Sequence, residues 1–290
     1  IDNFESMIAE YSVPFVHHER PGEEWDVPIT EEIQYFDPEL SYELTGYRPI
    51  NMTKGLDFDP TPFCEMANIY KSNGRYTNFP EWTKPWHDLW TREKNRMNDG
   101  YTVGKYRITG DNYYYLNYYR MEVIDEDAMS GAGRHYDFPK FLSKQYEWFH
   151  YLEMAERLCL NAIALKSRGV GWSEMTAATA VRPYTTKEAY RAVLTAFDDT
   201  KLTSLKRKCW YQLDWLNTNT SGGLRHVRQK LNNDDTKRAS KVSRDGTESG
   251  WMSEIHTIIA DKPGKIRGDR TDRLIYEEAG SNPILSASWI

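Results

Sequence analysis

The sequence is poor in cysteine, in metal-ligand spacings and in long apolar runs. Its three cysteines, Cys64, Cys159 and Cys209, are far apart and form no CxxC pair. An odd count so spaced gives no disulfide framework and fits a reducing cytosol. The seven histidines make no HExxH or comparable pattern, which argues against a zinc site. Mean hydropathy is -0.75, and no apolar run approaches the ~18 residues of a spanning helix, so no membrane span is expected. The chain starts at Ile1, not Met, with no basic stretch leading into an apolar one, so no secretory signal is read. We expect a trimmed N-terminus or numbering that starts inside a longer protein.

What is present is aromatic and unevenly charged. Aromatics are 14% of the 290 residues, enough for a well-packed globular core. The net charge of -6 conceals two opposed segments. Residues 1–50 hold 12 acids and two arginines, net -10, and residues 201–250 hold 11 Lys/Arg and five acids, net +6. Global charge argues against nucleic acid, but binding follows the local field. Lys201, Lys206, Arg207, Lys208, Arg225, Arg228, Lys230, Lys237, Arg238, Lys241 and Arg244 supply the basic segment. They read either as a sequence-independent grip on phosphates or as a solvated surface.

No internal repeat or low-complexity tract occurs. Residues 1–60 read as an acidic arm or an irregular small domain. Trp82, Trp86 and Trp90, four apart, read as a helical core stripe. Gly110-Asp111-Asn112, with β-forming residues on both sides, reads as a hairpin turn. The flanking tyrosines suit a half-buried strand pair or a base-stacking surface. Ser130–Gly133 reads as a loop and domain boundary. Beyond it the pattern changes: helix from Phe138 to Leu160, strand Ala162–Leu165, helix Trp172–Val181, strand Ala192–Thr195, helix to about Leu216, strand Glu254–Ala260 and strand Arg273–Tyr276. Strands alternating with helices predict an α/β fold with a mostly parallel sheet. We divide the chain into an irregular α+β N-terminal arm and accessory region, 1–133, and an α/β domain, 134–290.

The chemistry lies at Lys166-Ser167-Arg168-Gly169-Val170-Gly171-Trp172-Ser173, between a predicted strand and a predicted helix. Backbone N–H groups and the positive end of a helix face phosphates at such a turn. The common pattern is GxxxxGK[ST]. Here Gly171 and Ser173 match, Trp172 replaces the lysine and Lys166 replaces the first glycine. Lys166 or Arg168 could reach the phosphates from the other side of the loop. A basic, glycine-containing turn of no special function has the same appearance. About 100 residues on, the apolar run ending in Glu277-Glu278 supplies two acids at a strand end. In phosphate-loop ATPases the first acid supports Mg²⁺ and the second polarises water. A solvated strand edge is the alternative.

Leu165–Ser173 resembles the variant phosphate loop of large terminase subunits, the genome-packaging motors of tailed phages. Ile266–Ala279 is similar to their arginine–glycine segment leading into the acidic strand, and Gly110–Asn117 to a segment before the ATPase core. The resemblance covers roughly residues 100–285. It implies a P-loop NTPase core with a mostly parallel sheet flanked by helices, using ATP and Mg²⁺. It implies that Lys166 and Arg168 contact phosphates, that the loop from Ser167 to Trp172 cradles them, and that Ser173 and Glu277 serve Mg²⁺. Glu278 would be the general base and Lys166 would stabilise the transferring phosphate. Gln145 is the available candidate for an adenine-contacting glutamine, though the residue alone reads better as a surface helix glutamine. Arg267, or an arginine of a neighbouring subunit, would sense the γ-phosphate. The implied partners are double-stranded DNA, a portal ring and a small terminase subunit, in a homo-oligomeric ring on the procapsid in the host cytoplasm, without a membrane. The family's coupling segment and nuclease domain would lie beyond Ile290, so an N-terminal terminase fragment is expected. A helicase-like ATPase, or a nucleic-acid-binding scaffold with a degenerate loop, are the alternatives.

Overall fold

The computed structural model describes residues 38–46, 58–124, 133–164, 169–224, 235–262 and 270–282. Along them the first helix is α1, Pro38–Thr45. A 3₁₀ turn at Thr61–Cys64 leads into α2, Glu65–Asn73. The first amides of α2 lack intrahelical partners. Asn117, distant in sequence, accepts from Met66 N (3.0 Å) and Ala67 N (3.2 Å) and donates to Phe63 O (2.8 Å). Next comes α3, Lys84–Asp99, with a proline in its first turn, where the missing N–H is harmless. Trp86, Trp90, Glu93 and Met97 are its buried face. Trp82 departs from the expected stripe: it precedes the helix at φ +68 and is 72% exposed. Buried Glu93 is held by Tyr113 OH (2.5 Å), Tyr118 OH (2.9 Å) and Arg92 Nε (2.9 Å), which offsets the cost of its charge.

The expected hairpin turn at Gly110 is corrected. The hairpin lies earlier, β1 (Tyr101–Val103) pairing antiparallel with β2 (Tyr106–Ile108). Gly110–Tyr118 is a helix, α4. Thr109 Oγ1 accepts from Asn112 N at 3.2 Å, an N-cap that outweighs the strand preference of the tyrosines. Gly110 is needed because a Cβ there would lie 2.1 Å from Met97 O, where α4 crosses the end of α3. Every residue of α4 is buried, so no single face carries a helical period to read in sequence.

Then β3 (Met121–Ile124) pairs antiparallel with β4 (Arg134–Asp137). Helix α5 is shorter than expected, Ser143–Arg157. Residues 162–164 of the expected strand lie in no strand, and Ile163 is 79% exposed; Leu165 falls outside the described residues. The run is apolar, but a strand also needs a partner ladder, and none forms there among the described residues.

Helix α6, Trp172–Thr186, precedes β5, Arg191–Ala196, and α7, Asp199–Asn219. Three short strands follow, β6 (Thr236–Arg238), β7 (Lys241–Val242) and β8 (Glu248–Ser249), then β9 (Glu254–Ile259) and β10 (Arg273–Glu277). The sheet order is β10-β5-β9-β6. β10 and β9 both run parallel to β5, and β6 is antiparallel to β9. The described fold is therefore mixed α/β with a partly parallel sheet. β5 is central and buried from Ala192 to Ala196, which at about 1.5–3 kcal/mol per large apolar side chain makes it an anchor of the core. α6 packs on α7, with Cys209 Sγ 4.0 Å from Ala177 O, and both lie on β5 and β9. One apolar core runs from Phe63 through Tyr113, Tyr118 and Leu194 to Ile255. No helix among the described residues is long and apolar enough to cross a membrane.

His150 of α5 is 2% exposed, with Nε2 3.3 Å from Arg107 O. Burial lowers its pKa to about 4 from 6.5, against the pull of Glu153. Below pH 6.5 the unfolded chain therefore binds a proton that the folded chain refuses, and stability falls from pH 6.5 down to about 4. We expect a loss of about 3 kcal/mol across that window. Urea unfolding at pH 7 and pH 4 measures it; an unchanged slope in His150→Gln would contradict the assignment.

Candidate nucleotide site

The site forms where the N-terminus of α6 meets the C-terminal end of β10. Ser173, the second residue of α6, donates from Oγ to Glu277 Oε1 at 2.8 Å. Glu277 closes β10 and is 5% exposed. Residues 104 positions apart in sequence are thus in contact, as the two motifs imply.

The glycines shape the approach. Gly171 sits at φ +73 as the N-cap of α6, and its carbonyl accepts from Met175 N at 3.1 Å. A Cβ on Gly171 would come within 3.0 Å of Gln145 Nε2. That amide in turn donates to Val170 O at 3.1 Å. Gln145 is 6% exposed, and its Oε1 is buried without a hydrogen-bond partner among the described residues. It is not a surface helix residue. It props the loop from below, and its free carbonyl oxygen could accept a donor from a ligand. Trp172, in place of a loop lysine, packs its ring on Trp148 of α5 (centroids 4.3 Å apart). Gly169 is exposed at φ +85.

Lys166, Ser167 and Arg168, and also Arg267, lie outside the described residues. Glu278 follows β10 at φ +54, a left-handed conformation that side chains other than glycine rarely adopt. Its carbonyl accepts from Ser281 N (3.0 Å) and Ser281 Oγ (2.7 Å), a tight turn that holds it there. Such local strain recurs at functional sites.

Sequence reasoning missed two contributors. Glu174, next to Ser173, accepts from Tyr119 OH at 2.6 Å and pairs with Lys208 of α7, so this cation of the basic segment is already neutralised. Trp148 lies three residues after Gln145, the spacing of one helix face, which was a readable signal. Asp111 lies away from the site, at the opposite end of β10 from Glu277. It is buried between Arg182 of α6, with which it pairs directly, and Arg273 of β10 at 3.6 Å. Burial pushes its carboxyl up, but the two guanidiniums prevail and hold it below the usual carboxylate range.

Among the described residues no group of three or more His, Cys, Asp or Glu could cage a metal. The Ser173 hydroxyl and the Glu277 carboxylate nevertheless suit Mg²⁺, a hard cation that takes few protein oxygens and completes its shell with phosphates and water. The basic segment divides: Lys201, Arg207, Lys241 and Arg244 are exposed, Lys206 pairs with Asp235, and Arg225, Arg228 and Lys230 lie outside the described residues.

No protein-family model matches this chain, and no curated protein matches it either.

Proposed function

We propose that this chain is a Mg²⁺-dependent P-loop ATPase that drives double-stranded DNA into a viral procapsid, as a large terminase subunit does. The observation that carries the reading is the 2.8 Å contact between Ser173 at a helix N-terminus and Glu277 at a strand end. In a phosphate-loop ATPase these are the hydroxyl and the acid of the metal site. The mixed α/β sheet and the glycine turn over Gln145 support it.

In this mechanism the amides of the loop up to Ser173 cradle the phosphates, and Lys166 and Arg168 approach them from its start. Ser173 and Glu277 would hold Mg²⁺, which would supply charge neutralisation to the phosphates. Glu278 takes the proton of a water attacking in line, and Lys166 stabilises the charge that develops. The adenine amino group is a fitting donor to Gln145 Oε1. The portal ring, the small terminase subunit, a homo-oligomeric ring and a host-cytoplasm setting belong to the same proposal.

Calorimetric titration tests it first. Mg²⁺–ATP should bind in the micromolar range, and Ser173→Ala should weaken Mg²⁺-dependent binding about tenfold while leaving metal-free ATP binding unchanged. Absence of binding at millimolar ATP favours the scaffold reading, which Trp172 in the lysine position and the run at 162–164, outside any strand, support.

A further inference from the structure

At the opposite end of the sheet from Ser173 and Glu277 lies a cavity of about 370 Å³. Arg191 opens β5 and Glu277 pairs with Ala196 at its far end, so the two sites are separated by roughly 17 Å of strand. Three arginines line the cavity: Arg191, Arg238 of β6 and Arg270. Arg191 Nη1 donates to Arg270 O at 3.3 Å, and Arg191 N to Asp272 Oδ2 at 2.8 Å, which fixes the wall. Glu248 (3.0 Å) and Glu254 (3.3 Å) hold Arg238, and Glu254 lies 3.8 Å from Arg191. Arg270 has no carboxylate within ion-pair reach among the described residues.

Two independent features mark the cavity as a site. Thr271 Oγ1 on its wall is buried and has no hydrogen-bond partner among the described residues. Ala189 (φ +53) and Met252 (φ +67), also on the wall, hold left-handed backbone conformations, each at a cost of order 1 kcal/mol. Forked guanidinium donors beside an unsatisfied hydroxyl suit a tetrahedral oxyanion. Exposed Lys187, Lys241 and Arg244 neighbour these segments in sequence, so a polyanion would gain contacts that a single ion would not.

We infer that this cavity takes a backbone phosphate of a DNA duplex, with Arg270 and Thr271 as its contacts and Arg191 and Arg238 as its preset frame. The inference rests on the packaging reading for the identity of the strand, and on the cavity alone for the anion chemistry. The test is fluorescence-anisotropy titration of the intact protein with a mixed-sequence duplex over a salt series, for wild type, Arg270→Ala and Thr271→Val. Arg270→Ala should raise Kd about tenfold and lower the salt slope by about one, and Thr271→Val should weaken binding severalfold without changing the slope. Mg²⁺–ATP binding, measured in the same samples, should be unchanged in both variants, so a failed nucleotide reading is told apart from a failed phosphate site. Duplex affinity and slope equal to wild type in Arg270→Ala would overturn the inference. So would inorganic phosphate binding that depends on Arg270 while duplex affinity does not, since the cavity would then serve a free anion.

Discussion

Glu278→Gln in the intact protein should lower ATP turnover by at least about 10³-fold, with ATP affinity unchanged within a few-fold. Glutamine keeps the shape and the hydrogen-bonding capacity of glutamate but cannot accept a proton. Loss of rate without loss of binding is therefore the signature of a general base. Lys166→Ala should abolish hydrolysis too, with weaker nucleotide binding, because it removes the proposed phosphate contact. Glu278→Gly separates chemistry from strain. It removes the carboxylate and also relieves the left-handed backbone at φ +54, so turnover should vanish while the unfolding free energy rises by about 1 kcal/mol. Phosphate release, calorimetry and denaturant melts measure the three quantities. Wild-type turnover in Glu278→Gln and Lys166→Ala would remove the ATPase assignment.

The second large effect concerns Asp111. Asp111→Asn should cost about 3–5 kcal/mol in guanidinium unfolding. Arg182 and Arg273 have side chains only 4% and 8% exposed. Neutralising their shared carboxylate leaves two buried cations, and Arg273 keeps one ion pair, with Glu156, beside its hydrogen bond to Thr179 O. Because Asp111 titrates below its unfolded value, its contribution is present at neutral pH and is lost as pH falls through its folded pKa. Combining Asp111→Asn with Arg182→Met should recover part of the loss, since the uncompensated charge goes with the arginine. An Asp111→Asn variant within about 1 kcal/mol of wild type would show that the buried pairs are not stabilising.

What sequence made legible follows from how local each signal is. The sheet strands Arg191–Ala196, Glu254–Ile259 and Arg273–Glu277 are short apolar runs bounded by polar residues, and they formed where expected. Ser173 and Glu277 were paired in advance because both sit at element ends, where a loop motif fixes geometry. The helix at Gly110–Tyr118 was not legible. Its tyrosines favour strand locally, and the deciding factors, the Thr109 cap and the close crossing at Met97, depend on a neighbouring helix. Gln145 was singled out, but its place under Val170 needs the tertiary path of α5. The run at 162–164 failed the other way: its composition is right for a strand, but composition cannot supply a pairing partner.

Proline inside α6 has a consequence for engineering. A proline in a helix interior costs about 3 kcal/mol relative to alanine, so Pro183 is an obvious target for thermostabilisation. The cost arises partly because proline has no N–H for the carbonyl one turn earlier, that of Thr179. Here Arg273 Nη1 donates to that carbonyl at 2.8 Å. The vacant acceptor is already in use as a tether between α6 and β10, so Pro183→Ala would return less than the propensity scale promises and would add an internal rival to the tether. A design effort on this protein would gain more from the strained positions Ala189 and Met252 than from its most conspicuous helix defect.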